Sequence, residues 1–311
     1  MRVLVTGASG MVGYSFRENI KLPYSYDFIF VGSKDCDLTN RAATFRLFKE
    51  VQPDYIIHLA AKVGGVKGNT DYVADFYSQN IQMNTNVLDA SYVFKVKKVV
   101  SLLSTCVYPD SATYPLTEDQ IHKGPPHRSN FGYAYAKRML DIQSQAYRQQ
   151  YGCNFITAVP NNLFGENDNF HLTDGHVIPA LIRKIYEAKM SEEPIVTLWG
   201  DGSPLREFTY SDDVARLLLF LLEAYNSAAP VNIGNTGETS IKEVATMIVK
   251  NIVYEGNIVW DTSMPKGQHR KPSSNNKLME MRWYPYSDFE TSLKSTCDWF
   301  IKKYPNVRGM Y

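Results

Sequence analysis

A tyrosine and a lysine stand four residues apart in Tyr133-Ala-Tyr-Ala-Lys137, inside a stretch that reads as helix. Positions i and i+4 of a helix share a face, so an ammonium can sit near a phenol. A cation held there lowers the phenol pKa from its ordinary ~10 and makes it a proton donor or acceptor near neutrality. That is chemistry at a carbonyl or alcohol oxygen. Taken alone, the spacing arises often by accident, and a surface tyrosine beside a surface lysine is its ordinary reading.

The N-terminus gives the pair a context. Arg2-Val-Leu-Val-Thr6 is a short apolar strand that runs into Gly7-Ala8-Ser9-Gly10-Met11-Val12-Gly13 and a helical pattern through Ile20. Glycines let the backbone turn tightly and approach a pyrophosphate, which then rests on the free N–H groups of the helix start. The spacing G-x-x-G-x-x-G differs from G-x-G-x-x-G, and a packing turn with no ligand is the alternative. The second strand, Asp27 to Gly32, ends in Gly32-Ser33-Lys34-Asp35. An acidic residue there binds the ribose 2′-hydroxyl of NAD, and a cation binds the 2′-phosphate of NADP. Ser33 and Lys34 favour NADP, whereas Asp35 reaches a ribose if the strand ends later.

These residues need a scaffold, and the pattern supplies one. Strand-like runs at 2–6, 27–32, 54–59, 97–103 and 154–159 alternate with helical patterns at 11–20, 41–51, 73–94 and 131–150. Such alternation predicts βαβ units, an α/β fold with a doubly wound parallel Rossmann-type sheet, and ligands at the carboxyl ends of its strands. Strand four, Val99–Leu103, ends there in Ser104-Thr105-Cys106-Val-Tyr108-Pro109. The Ser104 hydroxyl is placed to bond the oxygen that Tyr133 protonates, although serine also commonly just ends strands.

From Asn161 the pattern changes to a polar loop, a helix from near His176, a strand at 195–199 and the turn Gly200-Asp-Gly-Ser-Pro204. Ser211-Asp-Asp begins a capped helix through Tyr225, and Val231-Asn-Ile-Gly234 is a short strand. Helices at 240–252 and 289–303 surround an irregular basic loop at 264–277. The expected division is a cofactor domain of 1–160 plus about 207–235 and a smaller α/β substrate domain of 161–206 plus 236–311.

Of the 311 residues, 44% are hydrophobic, ample for two sizeable cores, and the net charge is only +1. With lysines scattered among acids, nucleic acid is not expected as a partner. No leader and no apolar run near the ~18 residues of a membrane span is visible, so a soluble, cytoplasmic protein is expected. Cys36, Cys106, Cys153 and Cys297 lie far apart, which predicts reduced thiols and no metal site.

Glycine turn, strand-four serine and Y-x-x-x-K together resemble the extended short-chain dehydrogenase/reductase family. Longer segments narrow the resemblance: Leu59-Ala60-Ala61-Lys-Val-Gly-Gly-Val66, Ser104–Pro109, Asp168-Asn-Phe-His171, His176-Val-Ile-Pro-Ala-Leu-Ile182 and Trp199-Gly-x-Gly-x-Pro-x-Arg-Glu-Phe208. They are similar to the members that act as 3,5-epimerase/4-reductases on GDP-4-keto-6-deoxy-D-mannose. The likeness covers nearly the whole chain.

The resemblance implies roles that the chemistry accommodates. Epimerising two carbons beside a ketone requires taking a proton from one face and returning one to the other. Cys106 matches the family's base and His176 its acid, and both residue types titrate near neutrality once tuned. Read without the family, Cys106 would be a small buried hydrophobe and His176 a helix-start residue. NADP(H) contacts are implied at Gly7 to Gly13, at Ser33, Lys34, Asp35, Asp37 and Leu38, and at Leu59, Ala60 and Ala61. Further ones are Leu102, Leu103, Ser104, Thr105, Tyr133, Lys137, Pro160, Asn161, Asn162, Leu163 and His176. Substrate contacts map to Lys184, Trp199, Arg206 and Lys271, cations for a GDP diphosphate and an indole for a flat ring. A homodimer is also implied.

The chain departs from the family at several points. Gly165-Glu-Asn-Asp-Asn-Phe170 stands where Gly-Pro-His-Asp-Asn-Phe is usual, and Lys184 stands where many members have arginine and its bidentate fork. Lys266-Gly267 replaces Asp-Gly, and Ser273-Ser274 replaces an apolar residue and an aspartate. Two rival readings remain: a nucleotide-sugar 4-epimerase or 4,6-dehydratase of the same family, and a non-catalytic NADP sensor. The dehydratases carry an acidic pair after the strand-four serine, where this chain has Cys106-Val107; the sensor predicts loss of Tyr133 or Lys137.

Overall fold

A computed structural model describes residues 1–264 and 269–310, with backbone alone at 66 and 67. The first half alternates strand and helix, with two helices in succession between β3 and β4: β1 Arg2–Thr6, α1 Met11–Tyr14, β2 Asp27–Val31, α2 Arg41–Val51, β3 Tyr55–His58, α3 Val66–Asp71, α4 Val73–Val93, β4 Lys98–Leu102, α5 Phe131–Tyr151 and β5 Phe155–Pro160. There follow β6 Asn162–Phe164, α6 Val177–Met190, β7 Ile195–Trp199, β8 Leu205–Tyr210, α7 Ser211–Ala224, β9 Val231–Ile233 and β10 Glu238–Ser240. The chain ends with α8 Ile241–Ile252, β11 Asn257–Asp261, α9 Asn276–Glu280 and α10 Phe289–Lys303.

The principal sheet is parallel throughout, in the order β2-β1-β3-β4-β5-β9. Its inner strands read as nearly continuous apolar runs, broken by Ser101 and Thr157, because both faces are covered. Helices α1 and α7 cover one face through Val12, Leu217, Leu218 and Leu221. On the other face α2, α4 and α5 pack Phe48, Leu88 and Leu140. The order reverses between β1 and β3, which opens a crevice at their carboxyl ends where such sheets bind ligands. Two smaller sheets, β10-β8-β6 and β11-β7, share a separate core with α6, α8 and α10, built on Phe164, Ile182, Ile248 and Phe300. Only Asn161 separates β5 from β6, so the chain steps from the large sheet to the three-stranded one through a single residue.

Several expectations are corrected. The helical pattern at 11–20 is α-helical only to Tyr14 and continues as a π-helical turn over Ser15–Asn19, closed by Ile20 N–H donating to Ser15 O at 3.1 Å. Ser211 does not cap α7: Tyr210 holds the cap position, and the Ser211 hydroxyl is paired with Ser15 at 2.8 Å. The polar loop after Asn161 contains β6, paired with β8, and the basic loop closes into α9. Lys266 and Gly267 lie outside the described residues.

Candidate active site

The glycine turn lies in the crevice between β1 and β3. Gly7 has φ +71°, and a Cβ on it would fall 2.6 Å from the Ala60 nitrogen, so glycine is required on both conformational and steric grounds. A Cβ on Gly13 would meet the Ala8 backbone at 2.4 Å, which is how the helix start comes so close to the turn. Gly10 N–H donates to Gly7 O at 3.0 Å, and Tyr14 N–H is the first to reach back into the helix, to Gly10 O. No side chain caps α1, which leaves the amides of Met11, Val12 and Gly13 for an anion. The chain therefore has a cradle that suits a dinucleotide diphosphate.

At the end of β2 the Asp35 carboxylate turns back to accept the Gly32 N–H at 2.8 Å. It is spent on its own turn, while Ser33 and Lys34 stay exposed, an arrangement that suits a 2′-phosphate better than a bare ribose. Asp37 accepts from Thr39, and buried Leu38 is held by its carbonyl, which accepts from Asn86 at 2.9 Å. Leu59, Ala60 and Ala61 are half-buried opposite Gly7, and Leu102 and Leu103 are buried at the end of β4. Pro160 ends β5; Asn161 is buried, Leu163 half-buried and Asn162 exposed in β6.

Ser104 stands at the head of a 3₁₀ turn, Thr105–Val107, and its hydroxyl accepts the Cys106 N–H at 3.3 Å. The turn brings Ser104 and Cys106 to the phenol of Tyr133, which the first turn of α5 buries behind the Phe76 ring, 6.4 Å between centroids. Burial pushes the phenol pKa up, the nearby Cys106 adds to the rise, and the hydrogen bond from Ser104 offsets part of it. Here the expectation that Lys137 holds the phenol down is corrected. The ammonium donates to Leu102 O at 2.7 Å and stands 5.9 Å from the Tyr133 ring centroid, and burial lowers its own pKa to about 8. Tyr133 is therefore a neutral acid at physiological pH.

His176 occupies the cap position of α6 with its side chain 53% exposed. Packing disfavours its charged form, yet Asp168, 3.8 Å away, outweighs that and raises the imidazole pKa, while Arg308 works against the rise. Gly65 N–H donates to Asp174 O at 2.9 Å, and a Cβ on Gly64 would lie 3.0 Å from the Phe76 ring. The Gly64-Gly65 loop thus links the segment leading to His176 with the wall behind Tyr133.

Of the basic residues, Lys271 joins the Cys106 neighbourhood, and Arg206 is close enough to Lys271 to act on it. Burial lowers the pKa of each; for Lys271, Cys106 opposes the fall and Arg206 adds to it. Lys184 and Trp199 form a separate pair, the ammonium 4.7 Å over the ring centroid, with Trp199 48% exposed at the end of β7. Residues that depart from the family pattern have structural work: buried Glu166 accepts from the Tyr210 hydroxyl, Asn167 donates to Ser9 O at 3.1 Å, and Ser273 donates to Glu207.

Sequence reasoning missed three residues. His58 is wholly buried, accepting at Nδ1 from Thr6 (2.7 Å) and donating from Nε2 to Asn84 (3.0 Å); burial first and Lys137 second lower its pKa to about 4. The signal was a polar residue ending an apolar strand. Asp168, the partner of His176, sat inside a quoted segment without a role. Arg308 gave no local signal.

The chain belongs to the NAD dependent epimerase/dehydratase family, whose model matches residues 3–234. Within it, the chain is 43% identical to GDP-L-fucose synthase of Dictyostelium discoideum over 98% of this chain and 97% of that protein. It is 33% identical to GDP-L-fucose synthase of Escherichia coli K12, over 99% of both. The solved GDP-L-fucose synthetase of Naegleria fowleri bound to NADP is similar at a TM-score of 0.91 and 40% identity, covering 99% of this chain and 96% of that one.

Proposed function

We propose that this protein converts GDP-4-keto-6-deoxy-D-mannose to GDP-L-fucose by epimerisation at C3 and C5 followed by NADPH-dependent reduction at C4. The observation that carries the reading is the gathering of Ser104, Cys106 and Tyr133 beside Arg206 and Lys271, in a chain similar along its whole length to GDP-L-fucose synthases. When bound, NADPH supplies the hydride for C4. The protons are the protein's concern.

The C4 ketone acidifies the hydrogens on C3 and C5. Cys106 takes such a proton from one face, and His176, whose charged form Asp168 favours, returns one to the other. The cations of Lys271 and Arg206 attract the GDP diphosphate. In the reduction Tyr133 gives its proton to the C4 oxygen while Ser104 supports the developing charge, and Lys137 holds the floor of the site through Leu102. Lys184 and Trp199 present a charged and a flat surface to the nucleotide.

The rival reading as another nucleotide-sugar epimerase or dehydratase is not favoured: Cys106-Val107 follows Ser104 where dehydratases carry acids. No helix among the described residues is long and apolar enough to cross a membrane. We place the enzyme in the cytoplasm as a homodimer, a reading supported by apolar side chains left exposed on the paired helices α4 and α5, among them Tyr92, Val93, Ile142 and Tyr151. The division into 1–160 plus 207–235 and the remainder stays part of the proposal. The test is product analysis: purified protein given the 4-keto sugar and NADPH should consume the cofactor and yield GDP-L-fucose. A folded protein that binds NADPH yet leaves this substrate untouched would sink the assignment.

A further inference from the structure

We propose that Arg308, near the end of the chain, binds the diphosphate of the dinucleotide at the glycine turn. The inference rests on the NADP(H) reading of that turn. Around the position a Cβ of Gly10 would take, the nearest atoms are Gly7 O at 3.3 Å and then Arg308 Nη1 at 4.0 Å. The face of Gly10 is thus open, as a backbone must be where a phosphate approaches, and a guanidinium borders it. The uncapped amides of Met11, Val12 and Gly13 begin beside it.

Arg308 is exposed, and among the described residues its side chain makes no hydrogen bond and no ion pair. Its backbone, by contrast, is fixed from several sides. Arg308 O accepts the Phe170 N–H at 2.9 Å, and Gly309 O accepts from Arg183 Nη1 at 2.9 Å. Gly309 has φ +89°, and a Cβ there would fall 2.2 Å from Asn169 Oδ1 and 2.5 Å from the His171 nitrogen. Phe170 is in turn stacked on Trp299, whose Nε1 donates to the Tyr14 hydroxyl just past the glycine turn. The same loop reaches the turn again through Asn167, which donates to Ser9 O. A guanidinium with no protein partner, carried on a backbone tied to both sides of the turn, costs little further ordering when it meets an anion, and its planar fork suits phosphate oxygens. Arg308 also opposes the charging of His176, so its charge is felt at the proposed acid as well.

The experiment is calorimetric titration of wild type, Arg308→Gln and Arg308→Lys with NADP⁺, adenosine 2′-monophosphate and GDP at two salt concentrations. Arg308→Gln should bind NADP⁺ about tenfold more weakly or worse and with a shallower salt dependence, the lysine variant falling between. Adenosine 2′-monophosphate, which lacks the diphosphate, and GDP should bind all three proteins alike. Because the side chain makes no hydrogen bond or ion pair among the described residues, urea midpoints should match. Equal NADP⁺ affinity in wild type and Arg308→Gln overturns the inference, as does a loss confined to GDP, which would assign Arg308 to the substrate. Failure of the wild type itself to bind NADP⁺ would instead overturn the cofactor reading on which this rests.

Discussion

The ammonium of Lys137 donates to the carbonyl of Leu102 at 2.7 Å, on the last residue of β4, and not to the phenol four residues before it. This ties α5 to the strand that ends in Ser104 and leaves Tyr133 under the control of burial, which raises its pKa. The pair therefore divides its labour: a fixed cation organises the backbone, and the phenol is left neutral, as the proposed proton donor must be.

Tyr133→Phe should lower C4 reduction by about 10²-fold or more, the usual worth of a positioned acid, while deuterium from solvent still enters C3 and C5 of the substrate. Cys106→Ser should suppress that exchange. Mass spectrometry of recovered substrate reads both, and full exchange in Cys106→Ser would move the base elsewhere.

Replacing Lys137 by methionine should separate activity from stability. The buried ammonium has its pKa lowered to about 8 from 10.5, so between those values the unfolded chain holds more protons than the folded one, and stability rises with pH across that window. Below about 8 the folded state carries the whole cost of the buried charge. Lys137→Met removes that cost and one hydrogen bond, so at pH 7 it should be more stable by about 2 kcal/mol while reduction falls steeply. Urea denaturation beside steady-state rates checks this, and a variant less stable than wild type refutes it.

His58 gives a slope of the same sign at the acid end. Its folded pKa, about 4, lies below the unfolded 6.5, so the unfolded state binds the proton first and stability is lost as pH falls from 6.5 toward 4. From pH 7.5 to pH 5 this group alone should remove about 2 kcal/mol. His58→Asn should show a smaller acid loss than wild type over the same range, measured by urea midpoints at each pH.

Gly7→Ala should cost about 3 kcal/mol or more and abolish tight NADP⁺ binding, since it joins a left-handed backbone to a 2.6 Å overlap with Ala60. Gly237→Ala, where a Cβ meets nothing within 4 Å, should stay within about 0.5 kcal/mol of wild type. Paired thermal melts and cofactor titrations distinguish them, and equal melts would contradict the steric account.

The large sheet was legible because its signals are local. Val3 to Val5 and Val99 to Leu103 are apolar runs bounded by polar ones, and α2, β7 and α10 begin and end where their residues change character. The short strands were not legible: Asn162–Phe164, Glu238–Ser240 and Asn257–Asp261 have little pattern of their own and exist through partners far away in the chain, as when Thr239 pairs with Arg206. In the site, Ser104, Tyr133 and Lys137 followed from types and spacing. The tuning of each did not, because burial decides the sign for Tyr133, and Asp168, eight residues earlier in the same connection, decides it for His176. Arg308 reaches the glycine turn only because the tertiary fold returns the chain's end to its beginning.

The single-residue step at Asn161 bears on how new specificities can be made from this scaffold. Its side chain donates to Asn235 O at 2.7 Å, accepts from Thr209 at 2.6 Å, and lies where any Cβ on Gly234 would collide with it. The half built on α6, α8 and α10 cannot be lifted out and exchanged as a cassette at this seam. A chimera cut between Pro160 and Asn162 would have to bring Thr209, Gly234 and Asn235 from the same parent as Asn161, or begin life with a torn joint.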